Sequence, residues 1–206
     1  MAAKRAIDLL VATLLLVLLA PLMLALALLV RVTMGSPVLF RQPRPGYNGR
    51  LFTIYKFRTM SDKRDDSGEL LSDDQRMVPF GSLLRKTTLD SLPEMLNVLK
   101  GDMALVGPRP LLPEYLDLYT PEQMRRHEVR PGMAGPVVMG GRNAPSWEVK
   151  FRLDVWYVDN WSLWLDAKVF AGALWKVVRR EGVSHQGHVT APKFQGSSRT
   201  GEGRDQ

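Results

Sequence analysis

The longest apolar stretch of the chain lies near its N-terminus. Residues 9–30 are apolar or small except for Thr13, with Lys4 and Arg5 before the stretch and Arg31 after it. As a straight helix this stretch would be about 33 Å long, enough to cross a hydrocarbon core of about 30 Å. A buried core helix seldom excludes polar residues over such a length, and no clear signal-peptide cleavage site follows. The pattern therefore predicts a membrane segment.

Pro21 lies near the centre of this stretch and bears on its course. Proline removes a backbone donor and clashes with the preceding helical turn, so a break is expected there. Basic residues flank the stretch on both sides, so the positive-inside rule predicts that both ends stay on the cytoplasmic side of the membrane. We expect a re-entrant helix-break-helix over residues 1–35 with both ends on the cytoplasmic face; a kinked spanning helix is the alternative.

Beyond this segment, the pattern predicts an α+β domain over residues 36–192, mostly helical and compact. Apolar runs at residues 38–40 and 51–55 are separated by RQPRPGYNGR, which is rich in turn residues. This pattern predicts a small β-hairpin. From residue 193 the chain lacks apolar content, which predicts a disordered tail over residues 193–206.

Three helices are indicated by their start and stop signals. Pro93 and Gly101 suit the first turn of one helix and the position just past its end. Residues 120–123, Thr-Pro-Glu-Gln, form a capping box that predicts a second helix to about residue 128. A long third helix is expected over residues 162–182. All five tryptophans lie within residues 147–175. Their rings could contact the membrane interface or pack in the core, and the sequence favours neither explanation.

The composition limits which metal sites and which binding partners the chain can have. The chain has no cysteine, which excludes disulfides and thiolate metal sites and leaves oxygen atoms and histidine as metal ligands. A formal net charge of +7 indicates an anionic partner, which could be nucleic acid, acidic membrane lipid or a phosphorylated substrate. No nucleic-acid-binding motif is recognisable, so we expect no nucleic acid partner.

Residues 85–110 offer a candidate site, because Asp90 and a Gly-Pro-Arg-Pro turn flank one short helix there. Arginine forks grip phosphate oxygens through two parallel bonds, and converging cations would suit a diphosphate. Taken singly, each cation could be a solvated surface charge, and Asp90 could be a helix cap. The candidate cations are Lys56, Arg85, Arg109 and Arg142.

Four motifs resemble the bacterial sugar transferase family: KFRTM, LDSLPEMLNVLKGDMALVGPRPLLPEY, RHEVRPGMAG and GGRNAPSWEVKFRLDVWYV. These are the monotopic polyprenyl-phosphate phosphoglycosyl transferases, and the chain is most similar to minimal single-domain members of the PglC type. The resemblance implies a re-entrant anchor, a domain on the cytoplasmic face of the bacterial inner membrane, and initiation of glycan assembly such as exopolysaccharide synthesis. The implied reaction transfers a sugar 1-phosphate from a UDP-sugar to polyprenyl phosphate with Mg²⁺ and releases UMP.

The resemblance also assigns roles to individual residues. By motif position the family's nucleophile falls on Asp90, and its attack would give a covalent acyl phosphate. The same motifs imply that Lys56, Arg85 and Arg109 surround the transferred group, with Asp154 as a further polar residue near the site.

The chain departs from the family next to the nucleophile, where Ser91 replaces the usual glutamate. Glu94 stands where many relatives carry glutamine, and its four-residue spacing from Asp90 suits one helix face. Our hypothesis is that Asp90 and Glu94 hold Mg²⁺; the alternative for Glu94 is a solvated first-turn residue favoured by the helix dipole.

Ser91 also supports a rival interpretation. In it the chain is a catalytically silent relative that binds a nucleotide sugar or recruits partner glycosyltransferases. Three points stay open: which sugar is transferred, whether the chain forms a homo-oligomer, and whether it recruits downstream glycosyltransferases.

Overall fold

The computed structural model of the protein describes residues 2–140, 146–179 and 194–196. Helices predominate, and two small sheets accompany them, which confirms the mostly helical α+β class. The elements are α1 (Ala2–Met34), β1 (Leu39–Pro45), β2 (Leu51–Phe57), α2 (Asp73–Arg76), α3 (Pro79–Lys86), α4 (Glu94–Lys100), β3 (Ala104–Val106), α5 (Pro121–Met124), β4 (Gly132–Ala134), α6 (Trp147–Asp159) and α7 (Leu163–Arg179).

The predicted hairpin is confirmed as β1 and β2, which pair antiparallel with Pro45 opposite Leu51. Its turn contains a 3-10 turn at Tyr47–Gly49 in which Asn48 and Gly49 have φ of 53° and 72°. Glycine and asparagine are the residues that adopt this left-handed conformation most readily. The turn residues of the sequence therefore fix where the hairpin reverses.

The helix signals also mark real boundaries. α4 follows Pro93 and is closed by Gly101, whose φ of 93° places it in the left-handed region. α5 begins after Thr120, whose side chain accepts a hydrogen bond from the Gln123 backbone N–H. The predicted second helix continues past α5 only as a 3-10 turn at Arg125–Glu128.

A short parallel pair, β3 with β4, was not indicated by the sequence pattern. The two strands approach closely at their ends, where a Cβ on Gly132 would lie only 2.0 Å from the backbone nitrogen of Gly107. Glycine is therefore required at residue 132. This contact sets the Gly-Pro-Arg-Pro turn of residues 107–110 beside β4.

The first turns of α1 are bound to the domain by the two cations that flank the apolar stretch. Lys4 Nζ donates to the Val106 carbonyl oxygen at 3.0 Å. Arg5 donates to the carbonyl oxygens of Val98 and Leu99 at 2.6 and 3.0 Å. Those carbonyls belong to the last turn of α4, where a helix supplies few internal hydrogen-bond donors. Both cations therefore have a structural role besides their charge.

The middle of α1 is exposed, and only 11% of its most apolar 18-residue stretch is buried. The length and composition of α1 are sufficient to cross a membrane, whereas the core helix of a soluble protein would be mostly buried. The helix is continuous through Pro21, so the break expected there is not confirmed, and the re-entrant course of α1 stays a prediction.

Phe194 packs against the domain within the stretch predicted as a tail. It is 4% exposed and lies among aromatic rings that include Tyr115 and Phe151. Ordered contacts therefore reach into the predicted tail, and residues 197–206 lie outside the described part of the chain.

Candidate active site

Asp90 lies in a 3-10 turn, Leu89–Ser91, between α3 and α4. Thr88 immediately precedes this turn and has a φ of 57°, a left-handed conformation that is uncommon for a β-branched residue. Such strain persists only where the surrounding structure maintains it, and it often occurs at functional sites. The Asp90 side chain is 14% exposed, so it is shielded but still reachable from solvent.

Lys56 on β2 joins three acceptors around this turn. Its ammonium donates to Ser91 Oγ at 2.9 Å and pairs with Glu94 Oε1 at 2.9 Å and Asp90 Oδ2 at 3.8 Å. Glu94 is buried, at 1% exposed. Both carboxylates are thus within ion-pair distance of the one Lys56 ammonium.

Arg85 on α3 faces the same turn. Its Nε donates to Thr59 Oγ1 at 3.0 Å. Burial lowers the pKa of the Arg85 guanidinium, and the negative charge of Asp90 opposes that shift. The structure therefore brings Lys56, Arg85, Asp90 and Glu94 together.

Asp90 and Glu94 have the chemistry to hold a divalent cation. Glu94 Oε1 is buried, and the Lys56 ion pair is its only partner among the described residues. Among the described residues, no group of three or more histidine, aspartate or glutamate side chains is placed to hold a metal ion. Mg²⁺ is commonly bound by one or two carboxylates together with waters and substrate phosphates, so these two residue types fit it, and the Lys56 ammonium between them would have to move aside when it binds.

The Gly-Pro-Arg-Pro turn exposes Arg109 while Pro108 and Pro110 are buried. The Arg109 carbonyl oxygen accepts a hydrogen bond from Arg126 Nη2 at 2.7 Å. Arg126 in turn binds Asp154 Oδ2 through Nε and Nη2, at 3.1 and 2.8 Å. Asp154 is thus not brought to the Asp90 cluster; it lies buried and holds the arginine that fixes the backbone of Arg109.

The remaining predicted cation, Arg142, lies outside the described residues. Sequence reasoning missed the contribution of Arg126, although one signal pointed to it. Asp154 stands between Phe151 and Val155 on the buried face of α6. A carboxylate on an apolar helix face requires a buried cationic partner.

His127 is neutral and helps to hold the neighbouring hairpin. Its Nδ1 lies 3.1 Å from the Gly46 carbonyl oxygen, which can only accept, so Nδ1 carries the proton. Burial, and next the positive charge of Arg126, lowers the pKa of His127 to about 4.

We expect this histidine to make folding pH-dependent. Between its ordinary pKa of 6.5 and about 4, the unfolded chain takes up a proton that the folded protein does not. The stabilisation is fully present above pH 6.5 and is lost as the pH falls towards 4, by roughly 3 kcal/mol. Denaturant unfolding in detergent across this range should show a flatter profile for His127→Gln, which keeps a donor but cannot be protonated. Equal pH slopes for both proteins would contradict the assignment.

Comparison with known proteins agrees with the motifs. A family model described as bacterial sugar transferase matches residues 1–180. The chain is 54% identical over 194 residues to EpsL, an uncharacterized sugar transferase of Bacillus subtilis (strain 168), covering 94% of this chain and 96% of that protein. It is 41% identical over 174 residues to the UDP-N-acetylgalactosamine-undecaprenyl-phosphate N-acetylgalactosaminephosphotransferase of Aeromonas hydrophila, covering 81% of this chain but 41% of that protein.

A third relative is the UDP-glucose:undecaprenyl-phosphate glucose-1-phosphate transferase of Caulobacter vibrioides (strain ATCC 19089 / CIP 103742 / CB 15). The identity is 39% over 176 residues, covering 81% of this chain and 66% of that protein. The resemblance stated from the motifs is confirmed by these matches.

Proposed function

Because this chain belongs to the bacterial sugar transferase family, we propose that it transfers a sugar 1-phosphate from a UDP-sugar to polyprenyl phosphate, namely undecaprenyl phosphate, and releases UMP. The observation that carries this proposal is the Lys56 ammonium placed between Glu94 and Asp90, at 2.9 and 3.8 Å. A carboxylate beside cations suits nucleophilic attack at a phosphorus atom whose oxygens are negatively charged.

The proposed reaction has two displacements. An Asp90 carboxylate oxygen attacks the sugar-proximal phosphorus, the bond from that phosphorus to the bridging oxygen breaks, and UMP leaves with that oxygen. The product is a covalent aspartyl phosphosugar. A polyprenyl phosphate oxygen then attacks the same phosphorus, which frees the Asp90 carboxylate and gives the polyprenyl diphosphate sugar.

The cations have a defined part in both displacements. Lys56 and Arg85 flank Asp90, so they stabilise charge on the oxygens of the transferred phosphoryl group. Arg109 extends from a turn whose two prolines are buried, and no carboxylate among the described residues forms an ion pair with it, so its guanidinium is available to bind a phosphate. Arg142 belongs to the same proposed set on the strength of its motif.

Mg²⁺ is the proposed metal, with Asp90 and Glu94 as its protein ligands. When bound, it offsets negative charge on the diphosphate. Glu94 would thereby supply the carboxylate that Ser91 lacks.

We expect Glu94→Gln to raise the Mg²⁺ concentration for half-maximal activity about tenfold, because an amide is a weaker Mg²⁺ ligand than a carboxylate. Titration of Mg²⁺ against UMP release measures this shift. Glu69→Gln, at an exposed glutamate, is the matched control. Unchanged Mg²⁺ dependence in Glu94→Gln would rule out the ligand role.

The proposed location is the cytoplasmic face of the inner membrane, with residues 1–35 as a re-entrant anchor and residues 36–192 as the domain. Support comes from α1, since Ala12 towards its start and Leu26 and Val30 towards its end are buried while most of the apolar stretch between them is exposed. α7 adds Trp164 and Trp175, which are 70% and 56% exposed. Tryptophan rings favour the membrane interface.

Ser91 favours a second candidate function, a silent relative that binds the nucleotide sugar or recruits partner glycosyltransferases. UMP release from a broad panel of UDP-sugars, with and without polyprenyl phosphate, separates the two. The enzyme should release UMP from at least one sugar. No release from any member of the panel would contradict the proposed activity and favour the silent relative.

A further inference from the structure

Arg44 on β1 is one of the basic residues of the RQPRPGYNGR segment, and its guanidinium is partly buried. Its Nη2 donates to Gln42 Oε1 at 2.6 Å. Its Nε is buried and has no hydrogen-bond partner among the described residues. A buried donor without a partner is costly, so a shift of the Arg44 guanidinium towards a ligand that supplies acceptors would relieve that cost.

The position of Arg44 is unfavourable for a second reason. Burial lowers the pKa of its guanidinium, and repulsion from Arg109 lowers it as well, whereas Glu94 and Glu114 act in the opposite direction. Two guanidinium groups close enough to repel each other gain stability when an anion binds to both.

Arg126 and His127 hold, by hydrogen bonds to backbone carbonyl oxygens, the two segments that carry Arg109 and Arg44. Arg126 donates to the carbonyl oxygen of Arg109 at 2.7 Å, and His127 donates to that of Gly46, two residues after Arg44, at 3.1 Å. The backbone that carries both arginines is therefore held in place before any ligand arrives, which reduces the entropic cost of binding.

The hairpin connects Arg44 with the catalytic cluster. Arg44 lies opposite Phe52 and Phe40 lies opposite Lys56, so Arg44 and Lys56 project from the same face of the hairpin. Lys56 pairs with Glu94 at 2.9 Å, so the hairpin face that carries Arg44 also carries a cation of the cluster around Asp90. The arginine pair thus borders the cluster around Asp90.

We propose that Arg44 and Arg109 together form a binding site for a phosphate group beside Asp90. This inference deepens the proposed function and rests on it for the two sources of that phosphate. One source is the diphosphate of the nucleotide sugar, in which a second phosphoryl group adjoins the one that Asp90 attacks. The other source is the phosphate of the polyprenyl acceptor.

Binding measurements on the full chain in lipid nanodiscs test the site without requiring turnover. The probes are UDP, a short-chain polyprenyl phosphate and uridine, which has no phosphate. We expect Arg44→Gln to weaken UDP or the lipid phosphate about tenfold or more, because a charge-assisted pair of hydrogen bonds is lost. Uridine binding should not change. The probe that is weakened identifies the source of the phosphate.

Arg50→Gln is the matched control, since Arg50 is an exposed arginine at the turn of the same hairpin. Arg44→Lys keeps the charge and the aliphatic stem but loses the fork, so it should bind about threefold or more weakly even if Arg44→Gln folds poorly. Wild-type affinity of Arg44→Lys for both phosphates, or of a folded Arg44→Gln, would overturn the site. Failure of the proposed activity is judged separately, by UMP release from the wild-type protein.

Discussion

Replacing Asp90 with asparagine should lower UMP release roughly a thousandfold or more, because an amide cannot replace the carboxylate as nucleophile. The substitution is nearly isosteric, and the ion pair of 2.9 Å between Lys56 and Glu94 does not involve Asp90. The expected defect is therefore chemical rather than structural. Initial rates of UMP release measure it, with the UDP-sugar that the wild-type protein uses.

Asp117→Asn is a suitable control, since Asp117 is an exposed aspartate outside the cluster. Its rate should stay within about twofold of the wild-type rate. Activity of Asp90→Asn close to that of this control, at an unchanged unfolding temperature, would overturn the assignment of the nucleophile.

The second large effect is expected for stability, where Arg126→Leu should lower the free energy of unfolding by about 3–5 kcal/mol. Arg126 and Asp154 form a buried pair whose side chains are 2% and 3% exposed. Burial raises the pKa of the Asp154 carboxyl, and Arg126 opposes that shift. Without Arg126 the carboxyl would take up a proton or remain an unpaired buried charge, and the Arg109 carbonyl would lose its donor.

Arg125→Leu is the matched control for this prediction. Arg125 is the preceding residue, and it pairs on the surface with Glu122 and Asp159. Exposed ion pairs contribute about 1 kcal/mol or less. Denaturant unfolding of both variants in the same detergent compares them directly, and an equal loss in the two would contradict the structural role of Arg126.

Local signals predicted the elements that depend on local conformation. The turn of the β-hairpin follows from Asn48 and Gly49, whose positive φ few other residues tolerate. The ends of α4 follow from Pro93 and Gly101, and the start of α5 from the Thr120 capping box. In each case the preference belongs to the residues themselves, so no tertiary contact is needed to read it.

The parts that the sequence did not predict depend on tertiary contacts. β3 and β4 are three residues each, too short to produce a periodic pattern, and their parallel pairing joins segments distant in sequence. Adjacent arginines 125 and 126 are chemically identical, yet one lies on the surface and the other is buried. Arg125 pairs with Asp159 at the exposed end of α6, whereas Arg126 pairs with Asp154 on the buried face of that helix.

The candidate site shows the same division. Motif resemblance selected Lys56, Arg85 and Asp90, the helical spacing from Asp90 selected Glu94, and the structure brings these four together. Motif resemblance could not show that Asp154 supports the Arg109 turn through Arg126, because that role depends on which side chain its carboxylate binds. The unsatisfied Nε of Arg44 is likewise visible only once the hairpin has been placed against the domain.

The most direct test of a covalent aspartyl phosphosugar is the mass of the protein during turnover. The wild-type chain would be mixed with the UDP-sugar it uses, without polyprenyl phosphate, quenched rapidly in acid and digested for mass spectrometry. We expect the peptide that contains Asp90 to gain the mass of one sugar phosphate and to lose it when polyprenyl phosphate is added before the quench. UMP release with no such gain, or a gain on a peptide that lacks Asp90, would contradict the mechanism.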